Sequence, residues 1–144
     1  MGDNTKTRKF LIATHGTFAQ GLRSSLDVIA GAQENVYFIQ AYLDNMDSIQ
    51  DELETLLKNK GPQEEWVIFT DLLGGSITNQ VVRYASGEHV HIIAGVNLPL
   101  LLELVLTDPS IPVEAVIEDI LIKAREQMVY VNKLLQSNND PDNG

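Results

Sequence analysis

Four short apolar runs, each followed by a stretch with helical spacing, constrain the fold of this chain more than any other feature. The runs are Phe10-Leu11-Ile12-Ala13, Val36-Tyr37-Phe38-Ile39, Trp66-Val67-Ile68-Phe69 and Val90 to Ala94. None alternates polar with apolar residues, which is the pattern of strands covered on both faces. The segments between them repeat at three and four. Phe18, Leu22, Leu26 and Ile29 make one helical face that Gly31 closes, and Ile49, Leu53, Leu56 and Leu57 make a second. Asp47 is placed to cap that second helix, Lys58 and Lys60 suit its negative end, and Gly61-Pro62 stops it. Further helices are expected over Ser76 to Ala85, with Ile77, Val81 and Val82 inward, and over Leu98 to Leu106, with Pro99 in the first turn. Another starts near Pro112 and carries Val113, Val116, Ile117, Ile120, Leu121 and Ala124 on one face, and Val129-Tyr130-Val131 reads as a last strand. Strands alternating with helices at this spacing imply right-handed crossovers, so the expected class is α/β: a mainly parallel sheet with helices on both faces.

A length of 144 residues with 44% hydrophobic and 21% charged residues suits one globular domain, residues 1–136, ahead of a polar tail over residues 137–144. With no cysteine, disulfides, Cys-bound metal and thiol chemistry are excluded. Twenty acidic against ten basic residues, a net charge of -10, repel phosphate backbones and anionic lipid, so no nucleic-acid partner is expected. Met1 to Lys9 lacks the apolar stretch of a signal peptide, and Val90 to Leu106 is interrupted by Gly95, Asn97, Pro99 and Glu103, so a cytoplasmic location is expected.

In open parallel sheets ligands gather beyond the carboxyl ends of the strands, which directs attention to three loops. They read Thr14-His15-Gly16-Thr17, Thr70-Asp71-Leu72-Leu73-Gly74-Gly75-Ser76 and Gly95-Val96-Asn97-Leu98-Pro99. A lone histidine more often serves structure than chemistry, but His15 directly follows a buried strand and precedes a glycine, where its ring is open to a visiting macromolecule. Imidazole is a competent nucleophile at neutral pH when an acceptor holds its other nitrogen as N–H. Asp71 is either that acceptor, leaving Nε2 to attack, or a turn residue. Gly74, Gly75 and Ser76 let backbone N–H groups approach an anion at a helix start, with Ser76 also suited to be the helix cap. No lysine follows these glycines at P-loop spacing, so a single phosphoryl group suits the loop better than a nucleoside triphosphate. His89 and His91, two apart in the fourth strand, lack a third ligand in sequence range and are read as an edge pair, with no metal or other cofactor expected. Asp44, Asp47, Asp51, Glu52 and Glu54 are read as a solvated helix face, and Arg23 and Arg83 are left without a role.

Taken together, Ala13-Thr14-His15-Gly16, Gly31 to Val36, Phe69 to Ser76 with Asn79, and Ala94 to Pro99 with Leu102 and Glu103 closely resemble the mannose/sorbose-type IIA component of the bacterial phosphoenolpyruvate-dependent sugar phosphotransferase system. The likeness covers about residues 9 to 135. It implies that His15 accepts a phosphoryl group from the histidine-containing phosphocarrier protein and hands it to the IIB component, which serves a membrane permease. It also implies a homodimer in which a C-terminal strand, here Val129 to Leu134, crosses to the partner's sheet. Ile77 stands where relatives often carry proline, Leu72-Leu73 replaces a more polar pair of some members and leaves Leu72 only its backbone N–H for the phosphoryl group, and the tail is shorter than the linker of IIA–IIB fusions. Two other readings are a regulatory IIA-like module of a transcription regulator and the phosphoryl donor of a dihydroxyacetone kinase. A flavodoxin-like nucleotide site is disfavoured because no acidic residue is placed to hold a ribose.

Overall fold

The computed structural model describes residues 7–43 and 48–138. Four strands, β1 (Thr7–His15), β2 (Val36–Ala41), β3 (Glu64–Thr70) and β4 (Val90–Ala94), alternate with helices α1 (Phe18–Ala30), α2 (Gln50–Leu57) and α3 (Ser76–Ala85). After β4 come α4 (Leu98–Val105), a single 3-10 turn (Val113–Ala115), α5 (Ile117–Glu126) and α6 (Val131–Asn138). All strand pairs are parallel and the sheet order is β2-β1-β3-β4. The chain moves outward from β1 to β2, then returns to build β3 and β4 on the other side of β1. Between β1 and β3 the strand order reverses, and the carboxyl ends of these two strands border the crevice where such sheets bind ligands.

Side-chain alternation along each strand supplies both faces of the sheet with apolar residues. Phe10, Ile12, Val67, Phe69 and Ile93 face α1, α4 and α5, while Leu11, Ala13, Trp66 and Ile68 face α2 and α3. Each fully buried side chain of this size contributes about 1.5–3 kcal/mol of transfer free energy. This explains why the strands read as unbroken apolar runs.

The apolar faces of two helices differ from those expected. In α1 the buried residues are Ala19, Leu22 and Leu26, while Phe18, Val28 and Ile29 are exposed. The small Ala19 lets the first turn lie close to the sheet, and that rotates Phe18 and Ile29 outward. In α3, Ile77, Thr78, Val81 and Ala85 are inward and Val82 is exposed. The α2 stripe is as expected, with Ile49 and Leu53 fully buried and Leu56 and Leu57 packed against them. Its expected cap, Asp47, and Asp44 of the acidic face lie outside the described residues.

The expected last strand is a correction. Val129 and Tyr130 carry no strand pairing, and Val131 opens α6 instead. A strand needs a neighbour for its backbone N–H and C=O groups, whereas a helix satisfies them within its own turns. The strand-exchanged form through Val129 to Leu134 is therefore not the conformation of this single chain. Residues 125–136 are all exposed, among them Met128, Val129, Tyr130, Val131, Leu134 and Leu135. Among the described residues no helix is long and apolar enough to cross a membrane.

Candidate active site

His15 is the last residue of β1 and Asp71 the first after β3, so the pairing of these two strands fixes their separation. The Asp71 Oδ2 atom accepts two hydrogen bonds from one residue, from the His15 backbone N–H at 2.9 Å and from ring Nδ1 at 2.8 Å. A carboxylate can only accept, so Nδ1 is the donor, and in the neutral ring Nε2 is then the nitrogen that keeps its lone pair. The His15 side chain is 43% exposed and that of Asp71 12%, so the pair sits at the rim of the sheet with the histidine the more open of the two. Burial raises the Asp71 pKa, but hydrogen bonds from the His15 backbone and ring outweigh it, and the carboxyl ends below its ordinary value.

Three loops surround this pair, each turned by a glycine in the left-handed region: Gly16 at φ 58°, Gly74 at 75° and Gly95 at 85°. Side chains would strain the backbone there although there is open space around each, so the requirement is for the turn itself. Several motif residues hold the loops rather than face the rim. Thr14 Oγ1 accepts from Ala19 N–H at 2.8 Å, Thr70 and Thr78 join hydroxyls at 2.6 Å, and Thr78 donates onward to the Leu72 carbonyl at 2.5 Å. Asn97 caps α4 by accepting from Leu100 N–H at 3.0 Å.

The Gly74-Gly75-Ser76 segment leads into the N-terminus of α3 beside Asp71. Gly75, not Ser76, is the N-cap residue, with extended backbone at φ -76° and ψ 167°. Ser76 is the first helical residue and its hydroxyl bonds the Tyr42 hydroxyl instead of capping the helix. Leu72 and Leu73 are 58% and 87% exposed, so this loop presents an apolar knob next to the histidine. Phe18, also exposed, flanks the site from α1, and Leu98 is half-buried.

Sequence reasoning missed Tyr42. Its ring stacks on His15 with centroids 5.3 Å apart and planes 28° from parallel, and Gln80 Nε2 donates to its hydroxyl at 3.4 Å. Tyr42 holds φ at 62°, a region that bulky residues rarely occupy. Backbone strain of about 1–3 kcal/mol at such a position is sustained by surrounding contacts and is common where a side chain must be aimed. Nothing in residue spacing announces this geometry. Replacing Tyr42 with Leu should slow reaction at the His15 ring about three- to tenfold, since an aromatic stack is worth about 0.5–1.5 kcal/mol, while Tyr42→Phe retains most of the rate. Single-turnover rates at that ring check this, and equal rates for all three proteins would make Tyr42 a bystander.

The other candidates lie elsewhere. His89 precedes β4 in left-handed backbone at φ 63°, near Glu88, so it does not share a strand face with His91. Arg23 lies over the Phe38 ring and Arg83 over the Tyr84 ring.

Residues 9–121 match the family model described as PTS system fructose IIA component. The chain belongs to this family. Its PTS relatives include the mannose-specific EIIAB component of Escherichia coli, 31% identical over 72% of this chain and 34% of that protein, so the chain spans about a third of that relative's length. The fructose-specific EIIA component of Bacillus subtilis is 27% identical over 83% of this IIA chain and 82% of its own length. The crystal structure of phosphotransferase system component EIIA from Streptococcus agalactiae superposes with a TM-score of 0.74 at 30% identity, covering 88% of this chain and 99% of that one. IIA components serve phosphoryl transfer in sugar phosphotransferase systems, and the mannose/sorbose-type resemblance of the motifs falls within this family.

Proposed function

We propose that this IIA chain is a phosphohistidine carrier that takes a phosphoryl group from the histidine-containing phosphocarrier protein onto His15 Nε2 and passes it to a IIB component. The observation that carries the proposal is the 2.8 Å bond from His15 Nδ1 to Asp71 Oδ2, which leaves Nε2 as the free nucleophile on an exposed rim. In the forward step the Nε2 lone pair attacks phosphorus. The new N–P bond forms as the N–P bond of the donor phosphohistidine breaks, and the donor imidazole leaves with that electron pair. His15 keeps its Nδ1 proton, so its ring becomes a cation, which the Asp71 carboxylate stabilises. Gly74, Gly75 and Ser76, at the N-terminus of α3, are placed to offer backbone N–H groups and the Ser76 hydroxyl to the phosphoryl oxygens, with the Leu72 N–H as a further donor. Positioning and charge stabilisation are what such a transfer needs. The reverse attack by a IIB histidine discharges the site.

An open rim also suits a protein donor. The net charge of -10 attracts a basic partner at long range, and the exposed Leu72, Leu73 and Phe18 offer apolar contact at close range. Supplying phosphoenolpyruvate with the general phosphotransferase proteins should load one phosphoryl group, and nitrogen-15 NMR of labelled histidine should locate it on Nε2 of His15. A phosphoryl group on Nδ1, or on His89 or His91, would refute the assignment.

The same reading includes a homodimer covered at the C-terminal segment. An eight-residue helix exposed on every described side is unstable on its own in water. A second copy burying Met128 to Leu135 removes that exposure. Ending the chain after Arg125 should therefore convert a dimer to monomers in sedimentation experiments. A monodisperse monomer of the full chain at micromolar concentration would overturn the dimer.

A further inference from the structure

A second cluster of chemistry-bearing side chains lies at the opposite edge of the sheet, where β1, β3 and β4 begin. Strand register sets Arg8 beside Glu65 and Val67 beside His91, so the period of two puts Arg8, Glu65 and His91 on one face, at the margin of the core that α1, α4 and α5 cover. The 3-10 turn above brings in Glu114. Glu65 is 1% exposed, an expensive position for a carboxylate unless its oxygens are engaged. Arg8 Nε–H donates to Oε1 at 2.9 Å, and Arg8 is anchored in turn on the Ile111 carbonyl. The other oxygen, Oε2, is buried with no hydrogen-bond partner among the described residues, and so is His91 Nε2, 3.7 Å away. On its other side His91 Nε2 lies 3.5 Å from Glu114 Oε2.

These separations are too long for good hydrogen bonds, but they suit a bridging ion. Donors bound to a tetrahedral zinc at 2.0–2.2 Å lie about 3.4 Å apart. Among the described residues, Glu65, His91 and Glu114 offer one oxygen, one nitrogen and one oxygen, all within 4.8 Å of one another. We propose that Glu65 Oε2, His91 Nε2 and Glu114 Oε2 bind a divalent transition-metal ion, zinc by preference, that ties the 3-10 turn to β3 and β4. Imidazole with two carboxylates favours zinc or cobalt over magnesium or calcium, which take all-oxygen shells. The ion engages the two buried orphan atoms directly, and with Arg8 it outweighs the two carboxylate charges. A water completes the shell. The sequence pattern had set His91 aside for want of a third ligand. Folding supplies two, one from the next strand and one from the turn.

The test is titration of the metal-stripped full chain with Co2+, read by the visible absorption of a four-coordinate cobalt site, and with Zn2+, read by calorimetry and thermal unfolding. One equivalent should bind and raise the Tm. His91→Gln and Glu114→Gln should each weaken binding at least about tenfold, a loss typical even of residues behind the ligands. Glu114 is exposed, so its substitution leaves the fold intact and keeps the test valid if a His91 variant folds poorly. His15→Ala and His89→Gln should bind as tightly as the parent chain. Absence of binding, binding lost with His15→Ala, or binding indifferent to Glu114→Gln and His91→Gln would each overturn the site. In those cases His91 is a side chain packed between two carboxylates and nothing more.

Discussion

If the proposed carrier role is right, His15→Ala should leave a folded chain that accepts no phosphoryl group from the phosphocarrier. The expected loss in transfer is at least about a thousandfold, because removing a covalent nucleophile removes the reaction path and not merely a contact. The fold should tolerate the change. The His15 side chain is exposed, among the described residues its ring bonds only to Asp71 and stacks on Tyr42, and its backbone N–H remains to bond Asp71. Radiolabel from phosphoenolpyruvate measures acceptance, and thermal unfolding measures the fold. Retained label on the variant would move the phosphorylation site elsewhere and remove the basis of the carrier assignment.

Asp71→Asn should slow transfer at least about tenfold with the fold intact. The amide has nearly the size of the carboxylate but lacks its charge. It can present either N–H or C=O to Nδ1, so it no longer enforces the tautomer that frees Nε2. It also no longer stabilises the cationic ring of the phosphorylated state. The pH dependence of stability gives an independent reading. The folded Asp71 pKa lies below the ordinary value of about 3.9, held down by the His15 hydrogen bonds against the opposing effect of burial. The folded state therefore binds this proton less readily than the unfolded chain does. The resulting stabilisation is fully present above the ordinary carboxylate pKa and is lost as pH falls through the lower folded value. Unfolding measured across that acid window should show a shallower pH slope for Asp71→Asn than for the parent chain. Unchanged transfer and an unchanged slope would reduce Asp71 to a turn residue.

The two substitutions separate chemistry from scaffold. His15→Ala tests which atom is phosphorylated, and Asp71→Asn tests how that atom is prepared. Tyr42 tests a third aspect, the holding of the ring plane, with a smaller effect because stacking is worth less than charge.

Much of the architecture is legible in residue order because the signals are local. The bounds of α3 and β4 follow from the Gly74-Gly75 turn and from the run Val90 to Ala94, and the structure has both as expected. His15 and Asp71 stand out for a related reason: each stands one buried threonine beyond an apolar run, and parallel strands bring such positions to one edge. That rule does not give their 2.8 Å contact, which requires β1 and β3 to be neighbours, a choice among strand orders that hydrophobic patterning leaves open. The buried face of α1 was misread for a similar reason. Phe18 and Ile29 have the right period, but close packing against the sheet selects the side bearing Ala19. The segment after α5 has strand-like composition at Val129 to Val131. Without an adjacent strand it takes the conformation that bonds to itself.

Residue order alone sets the succession of strands and helices, the burial of the strands on both faces and the residue types carried by the loops, since these depend on residues within a few positions of one another. Tertiary structure alone decided the strand order, the stacking of a left-handed Tyr42 on His15 and the meeting of Glu65, His91 and Glu114. Each of these needs side chains from separate elements, and their separation in space is set by packing and register, which no local period encodes.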